Sequence, residues 1–233
     1  EGSKGLRSIQ RKGSNSFEAL NEPIILDGPY SNSAFDIVCK NDKVYMIIGG
    51  KDLLNGKRFD KGGYILTYDY DKWSFIDPKE AQKKLNLPRN PRDYTSIAVT
   101  TDDSNDEIVY ASSMGDGVIQ YKNGTPVQSY NEKNAFKETA GGYGSGYCYI
   151  DGLAFDKNGN LWMTSSEVNH AVLVLDKAGA WHRLDIEQLR GVYTINDILI
   201  TSTNDKWIYV PRNTPKLVMI PNSESLDEVS SYE

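Results

Sequence analysis

The sequence predicts an all-β protein of the β-propeller class: four consecutive four-stranded blades after a partial N-terminal blade, together a fragment of a larger propeller. Three observations predict it. First, a unit recurs in which an apolar strand, an Asp/Asn/Gly-rich turn and a second strand centred on Trp or Tyr follow one another. It reads Ile97-Ala98-Val99 with Ile108-Val109-Tyr110, Leu153-Ala154-Phe155 with Leu161-Trp162-Met163, and Ile198-Leu199-Ile200 with Trp207-Ile208-Tyr209. A fainter copy pairs Phe35 to Cys39 with Val44 to Ile47. The aromatic positions Tyr45, Tyr110, Trp162 and Trp207 lie 65, 52 and 45 residues apart, converging on the period of roughly 40 to 50 residues of a propeller blade. Second, each copy continues into another hairpin: Tyr64 to Tyr68 with Lys72 to Phe75, Val118 to Tyr121 with Pro126 to Tyr130, and Ala171 to Leu175 with Trp181 to Leu184. In the fourth copy Leu217 to Ile220 is clear, and the final strand is lost in the polar tail. Third, these segments are rich in β-branched and aromatic residues, and apolar spacings of three and four do not persist over helical lengths.

Taken in order, Gly5 to Gly13 resembles the third strand of a later copy, Gly117 to Gly124, so the chain is expected to open in the outer half of a blade spanning 1–26. Blades are expected at about 27–77, 94–131, 147–186 and 192–227 in one domain of 233 residues, because neighbouring blades bury faces against each other and no Pro/Gly/Ser-rich linker interrupts them. The single helix expected runs from Pro78 to Leu87, with Asp77 as cap and Pro78 in the first turn. The loops Gly49 to Gly63 and Asn131 to Tyr147 are the long excursions. Asp156-Lys157-Asn158-Gly159-Asn160 reads as a tight turn, Asp accepting backbone hydrogen bonds and Gly taking positive φ. Tyr45, Tyr110, Trp162 and Trp207 are expected to pack between neighbouring sheets.

Composition suits half-exposed strands and many turns: 39 % hydrophobic residues, 20 Gly, and 15 Tyr against 6 Phe. With net charge −6 and intermixed charges, nucleic-acid binding is not expected. No run of about eighteen apolar residues marks a membrane span. Two histidines, His170 and His182, and two cysteines, Cys39 and Cys148, support neither a metal centre nor a cofactor. Both thiols are expected unpaired in the core, and no catalytic residues are assigned, since no nucleophile-elbow sequence is present and adjacent acids such as Asp102-Asp103 read as solvated turns. The Gly-rich stretch 141–146 precedes a strand rather than a helix, which argues against a phosphate loop. The expected binding surface is Tyr30, Asn32, Tyr94, Tyr143 and Tyr147, each just ahead of an innermost strand and therefore expected on one face of the ring.

Gly152 to Ser165 resembles the two-component-regulator propeller repeat. Tyr110 to Val118, Tyr130 to Asn134, the Trp162 repeat and Trp207 to Arg212 together resemble the PorZ-like propeller proteins associated with type IX secretion, over residues 27–227. The resemblance implies a periplasmic or cell-surface propeller of a Bacteroidetes-like bacterium, partnered by an envelope protein or an oligosaccharide, and carries no catalytic residue onto these positions. A non-enzymatic binding scaffold is the leading expectation; an oligosaccharide sensor of a hybrid two-component system, and a polysaccharide lyase or hydrolase, are the alternatives.

Overall fold

The computed structural model describes residues 8–21, 28–136, 146–212, 214–223 and 225–226. A short hairpin, β1 (Ile9–Arg11) with β2 (Phe17–Ala19), comes first. Blade 1 is β3 (Ala34–Lys40), β4 (Lys43–Ile48), β5 (Ile65–Asp69) and β6 (Lys72–Ile76), antiparallel in sequence order. Helix α1 (Pro78–Leu85) leads to blade 2: β7 (Tyr94–Thr101), β8 (Glu107–Gly115), β9 (Gly117–Lys122) and β10 (Thr125–Tyr130). Blade 3 is β11 (Cys148–Phe155), β12 (Leu161–Ser165), β13 (Val172–Leu175) and β14 (Trp181–Leu184). Blade 4 has three strands among the described residues: β15 (Ile198–Ile200), β16 (Lys206–Val210) and β17 (Lys216–Ile220).

The helix forms as expected and stops two residues earlier. The Asp77 side chain accepts from the Lys79 N–H at 2.9 Å, and Asn86 ends the helix at φ 51°, a left-handed conformation that Asn tolerates better than most residues. The turn after β11 also forms as expected. Asp156 Oδ1 accepts from the Asn158 and Asn160 N–H groups at 2.9 and 2.8 Å, and Gly159 has φ 84°. Asp156 Oδ2 takes the Trp162 Nε1–H at 2.9 Å, so the turn also orients the blade's central ring.

Three apolar cores fill the spaces between blades. Tyr45, Ile47 and Ile65 meet Ile97, Val109 and Tyr121 between blades 1 and 2. Ala98, Ile108 and Tyr110 meet Leu153, Leu161 and Met163 between blades 2 and 3. Trp162, Val172 and Val174 meet Ile198, Ile208 and Val218 between blades 3 and 4. Tyr45, Tyr110 and Trp162 thus each face the following blade and are 2 %, 8 % and 1 % exposed. Trp207 does not follow them: it is 38 % exposed, because its face of β16 meets no further sheet among the described residues. Cys39 is likewise exposed rather than buried, being on the face of blade 1 away from blade 2; Cys148 is buried, and both thiols are free. Burial pushes the Cys148 thiol up to about 12.

The innermost strands carry bulges at matching places, near Phe35, Thr95 and Asp151, and bulges re-aim side chains. Here they place polar groups between neighbouring innermost strands. Ser96 Oγ donates to Asp36 Oδ2 at 3.2 Å and accepts from the Leu153 N–H at 3.1 Å, and Thr95 Oγ1 donates to the Ile150 carbonyl at 2.5 Å. Blades 1, 2 and 3 are therefore tied at the axis by hydrogen bonds that also satisfy buried polar groups.

Candidate binding site on the inter-blade loop face

The loop from Gly49 to Gly63 crosses the face on which the inter-blade connections gather. Gly49 has φ 139° and no room for a Cβ, which would lie 2.3 Å from the Tyr94 nitrogen. Two residues on, Lys51 is 1 % exposed. Its ammonium pairs with the Asp151 carboxylate of blade 3, donates to the Ile195 carbonyl ahead of blade 4 at 3.1 Å, and sits 5.0 Å above the Tyr149 ring. Ser166 Oγ donates to Asp151 Oδ2 at 2.5 Å and accepts from the Ile195 N–H at 2.8 Å. Burial pushes the Asp151 carboxyl up to about 6, against the pull of Lys51 and Ser166. Further along, Asp93, buried ahead of β7, accepts from Arg58 Nε at 3.0 Å and from the Asp60 and Lys61 N–H groups at 3.2 and 2.9 Å. The loop is thus fastened to blade 2 by Asp93 and to blades 3 and 4 by Lys51.

Beside it, between blades 2 and 3, is a cavity of about 450 Å³. Its walls are the α1–β7 connection at Leu87, Arg89 and Pro91, the β8–β9 turn at Asp116, the segment after β10 at Glu132 and Lys133, and Tyr147 ahead of β11. Asp116 is the organising side chain. Its Oδ1 receives Arg89 Nε at 2.8 Å and its Oδ2 the Arg92 N–H at 3.1 Å. The Tyr147 ring packs flush on Gly115, where a Cβ would approach it to 2.8 Å, and stands edge-on to Tyr149 at 6.3 Å between centroids. Burial raises the Tyr147 hydroxyl above the ordinary tyrosine range, and Arg58 offsets part of that rise. Two cations, two carboxylates and an aromatic ring therefore converge on a concave site, the composition of a recognition pocket.

Of the expected surface, Tyr147 lines this cavity, together with Arg89 and Pro91 of the connection that leads to Tyr94. Tyr94 does not belong to a binding surface: it is fully buried, with its hydroxyl 2.6 Å from that of Tyr121, because β7 begins under the 49–63 loop. Tyr30 is exposed on the outer part of blade 1, stacked on Phe75 at 4.6 Å and beside Tyr64 at 4.7 Å, and Asn32 is exposed nearby in sequence. Neither lines the cavity. Tyr143 lies outside the described residues. Lys51, Asp93 and Asp116 were not marked by the sequence; the signals available were the two glycines before Lys51, at Gly49-Gly50, and the glycines on both sides of Asp116, at Gly115 and Gly117.

A second cavity, of about 540 Å³, opens between the hairpin turns of the same two blades, with Tyr110 and Phe155 among its lining residues. Its Lys122 is held by Asp102 and Asp106 at 2.7 and 2.8 Å, and the bonds from Lys122 keep both carboxyls below the ordinary aspartate range. No group of three His, Cys, Asp or Glu side chains fit to hold a metal occurs among the described residues.

No protein-family model and no curated protein matches the sequence. Solved structures do. PorZ, a bacterial surface component of the type IX secretion system of Porphyromonas gingivalis, aligns over 99 % of this chain and 31 % of its own, with TM-score 0.74 and 20 % identity. An extracellular domain assigned to a hybrid two-component system of B. thetaiotaomicron aligns over 90 % of this chain and 24 % of its own, with TM-score 0.52 and 16 % identity. Streptogramin B lyase aligns over 86 % and 54 %, with TM-score 0.50 and 16 % identity. The chain spans from about a quarter to about half the length of these proteins. The neighbours include both groups that the repeat resembles, and at these identities the likeness establishes one thing: this chain has the β-propeller fold.

Proposed function

We propose that this chain is a non-enzymatic binding propeller of an extracytoplasmic envelope protein, with its ligand seated in the cavity between blades 2 and 3. The observation that carries this reading is the convergence of Arg89, Asp116, Glu132, Lys133 and Tyr147 on one concavity beside a loop fastened to three blades. Pre-positioned polar groups around an aromatic ring suit recognition of a segment that carries hydroxyl or charged groups, either an oligosaccharide or a stretch of an envelope protein. A periplasmic or cell-surface location, and a connection to type IX secretion, are part of the proposal; the likeness to PorZ supports both.

The likeness to an extracellular domain of a two-component system favours a second reading, an oligosaccharide-sensing propeller. A polysaccharide lyase or hydrolase is the third, since a lyase shares the fold. Glycan arrays and pull-downs on envelope extracts, with purified wild-type and Arg89→Ala/Tyr147→Ala protein, separate them. A saturable hit weakened at least about tenfold in the variant, without turnover, is expected. Equal binding by a variant of unchanged melting temperature overturns the site, and turnover of a bound glycan overturns the non-enzymatic reading.

A further inference from the structure

The connections that form the cavity between blades 2 and 3 recur one blade on. Ser112-Ser113-Met114-Gly115-Asp116, from β8 into the β8–β9 turn, corresponds to Thr164-Ser165-Ser166-Glu167-Val168, from β12 into the β12–β13 connection, and Tyr147 ahead of β11 corresponds to Tyr193 ahead of β15. The second set also comes together. The Glu167 N–H donates to the Val192 carbonyl at 2.8 Å, and Ser166 Oγ accepts from the Ile195 N–H at 2.8 Å. From blade 4 the segment after β16 adds Arg212, whose guanidinium lies 5.7 Å from the centre of the Tyr193 ring, itself 44 % exposed. The Gly49 to Gly63 loop reaches this group at Gly56, where φ is 73° and a Cβ would stand 2.9 Å from Arg212 Nη1 and 3.7 Å from Thr194 Oγ1.

The bonding here is unfinished. Glu167 Oε1, Thr194 Oγ1 and Arg212 Nη1 are each buried without a hydrogen-bond partner among the described residues, and Thr194 as a whole is 2 % exposed. Buried polar atoms in native proteins are nearly always bonded, so three orphans on adjoining segments call for a bound partner. Glu167 also holds φ 63°; apart from it and Tyr70, the non-glycine residues with positive φ among the described residues are all Asn or Asp, and strain of this kind gathers at ligand sites. An acceptor, a donor and a hydroxyl beside a partly exposed ring match a sugar, whose hydroxyls accept from one neighbour and donate to another at the same oxygen. Arg58, two residues beyond Gly56, bears on the Tyr147 hydroxyl of the first cavity. Two residues of chain reach about 7 Å at most, so both places adjoin one short stretch of the loop.

We propose that Glu167, Tyr193, Thr194 and Arg212 form a second sugar subsite, between blades 3 and 4, and that an oligosaccharide seated in the cavity between blades 2 and 3 extends past residues 56–58 into it. The inference rests on the ligand reading above and commits it to an oligosaccharide. Thr194→Val tests it first without a ligand. Exchanging an unpartnered buried hydroxyl for a methyl of the same shape is expected to leave the melting temperature unchanged or higher; a lower one overturns the subsite, since the hydroxyl is then bonded within the fold. Isothermal titration calorimetry with oligosaccharides released from bacterial envelopes by mild acid, separated by length, tests it next. Wild type is expected to bind the long fractions at least about tenfold more tightly than the short ones, because a ligand held in one subsite meets the other at high effective concentration. Thr194→Val and Glu167→Gln are expected to keep the binding of short fractions and lose that advantage, whereas Arg89→Ala/Tyr147→Ala loses both. Equal length dependence in wild type and in both blade 3–4 variants overturns the subsite and leaves the first cavity standing, as does an envelope protein bound in place of sugar. Binding of no fraction and no envelope protein by wild type overturns the ligand reading and the subsite with it.

Discussion

Lys51 and Asp151 form a buried pair whose partners lie in different blades. Removing the cation leaves a desolvated carboxylate, and such half-pairs cost about 3–5 kcal/mol. Lys51→Met is therefore expected to lower stability by about that amount at pH 8, read by urea denaturation. Asp151 titrates near 6 in the fold, above the ordinary value of about 3.9. The stability linked to a raised carboxyl is full below the unfolded value and lost as pH rises through the folded one. The Lys51→Met penalty should accordingly be smaller at pH 5 than at pH 8, and a pH-independent penalty contradicts the reading. A second contrast concerns tryptophans in equivalent positions. Trp162→Ala removes a fully packed ring bonded to Asp156 and should cost about 3–5 kcal/mol; Trp207→Ala, on a face that meets no further sheet among the described residues, should cost clearly less. Equal losses contradict the assigned packing. Tyr94 shows the limit of sequence at this scale: a tyrosine at the start of a strand reads as a surface ring, and only the loop folded over it makes it core.

The loop from Gly49 to Gly63 is the element least legible in advance. By composition it is polar and Gly-rich, and length alone marks it as an excursion. What fixes it is long-range: Asp93 receives three donors from it, and Lys51 reaches groups 100 and 144 residues away. Asp93→Ala should leave the Asp60 and Lys61 N–H groups without their acceptor, raising amide exchange at these two positions at least about tenfold while α1 is unchanged. Unaltered exchange at Asp60 and Lys61 contradicts that role for Asp93. The strands and α1, by contrast, were legible because their determinants are local: alternating apolar residues, an Asp-Pro start, and Asp/Asn/Gly turns that set their own backbone.

At the scale of the molecule, the repeat was legible because each blade is the same packing problem solved again, with an aromatic at the centre of the second strand. The exposure of Ile37 and Trp207 was not, since the sequences around them resemble those of buried equivalents, and what distinguishes them is that no further sheet meets them among the described residues. The candidate cavity was legible in part: Tyr147 was marked by its place before an innermost strand, whereas the residues meeting it come from the α1–β7 connection, the β8–β9 turn and the far end of its own loop. The central claim is that these connections form one ligand site between blades 2 and 3. Amide NMR during titration with the glycan or envelope peptide that binds tests it most directly. The account predicts saturable shifts clustered at residues 87–92, 115–117, 129–133 and 146–147, lost together in Arg89→Ala/Tyr147→Ala. Shifts centred on the hairpin-turn cavity around Tyr110 and Phe155, or on the outer part of blade 1 around Tyr30, would contradict it.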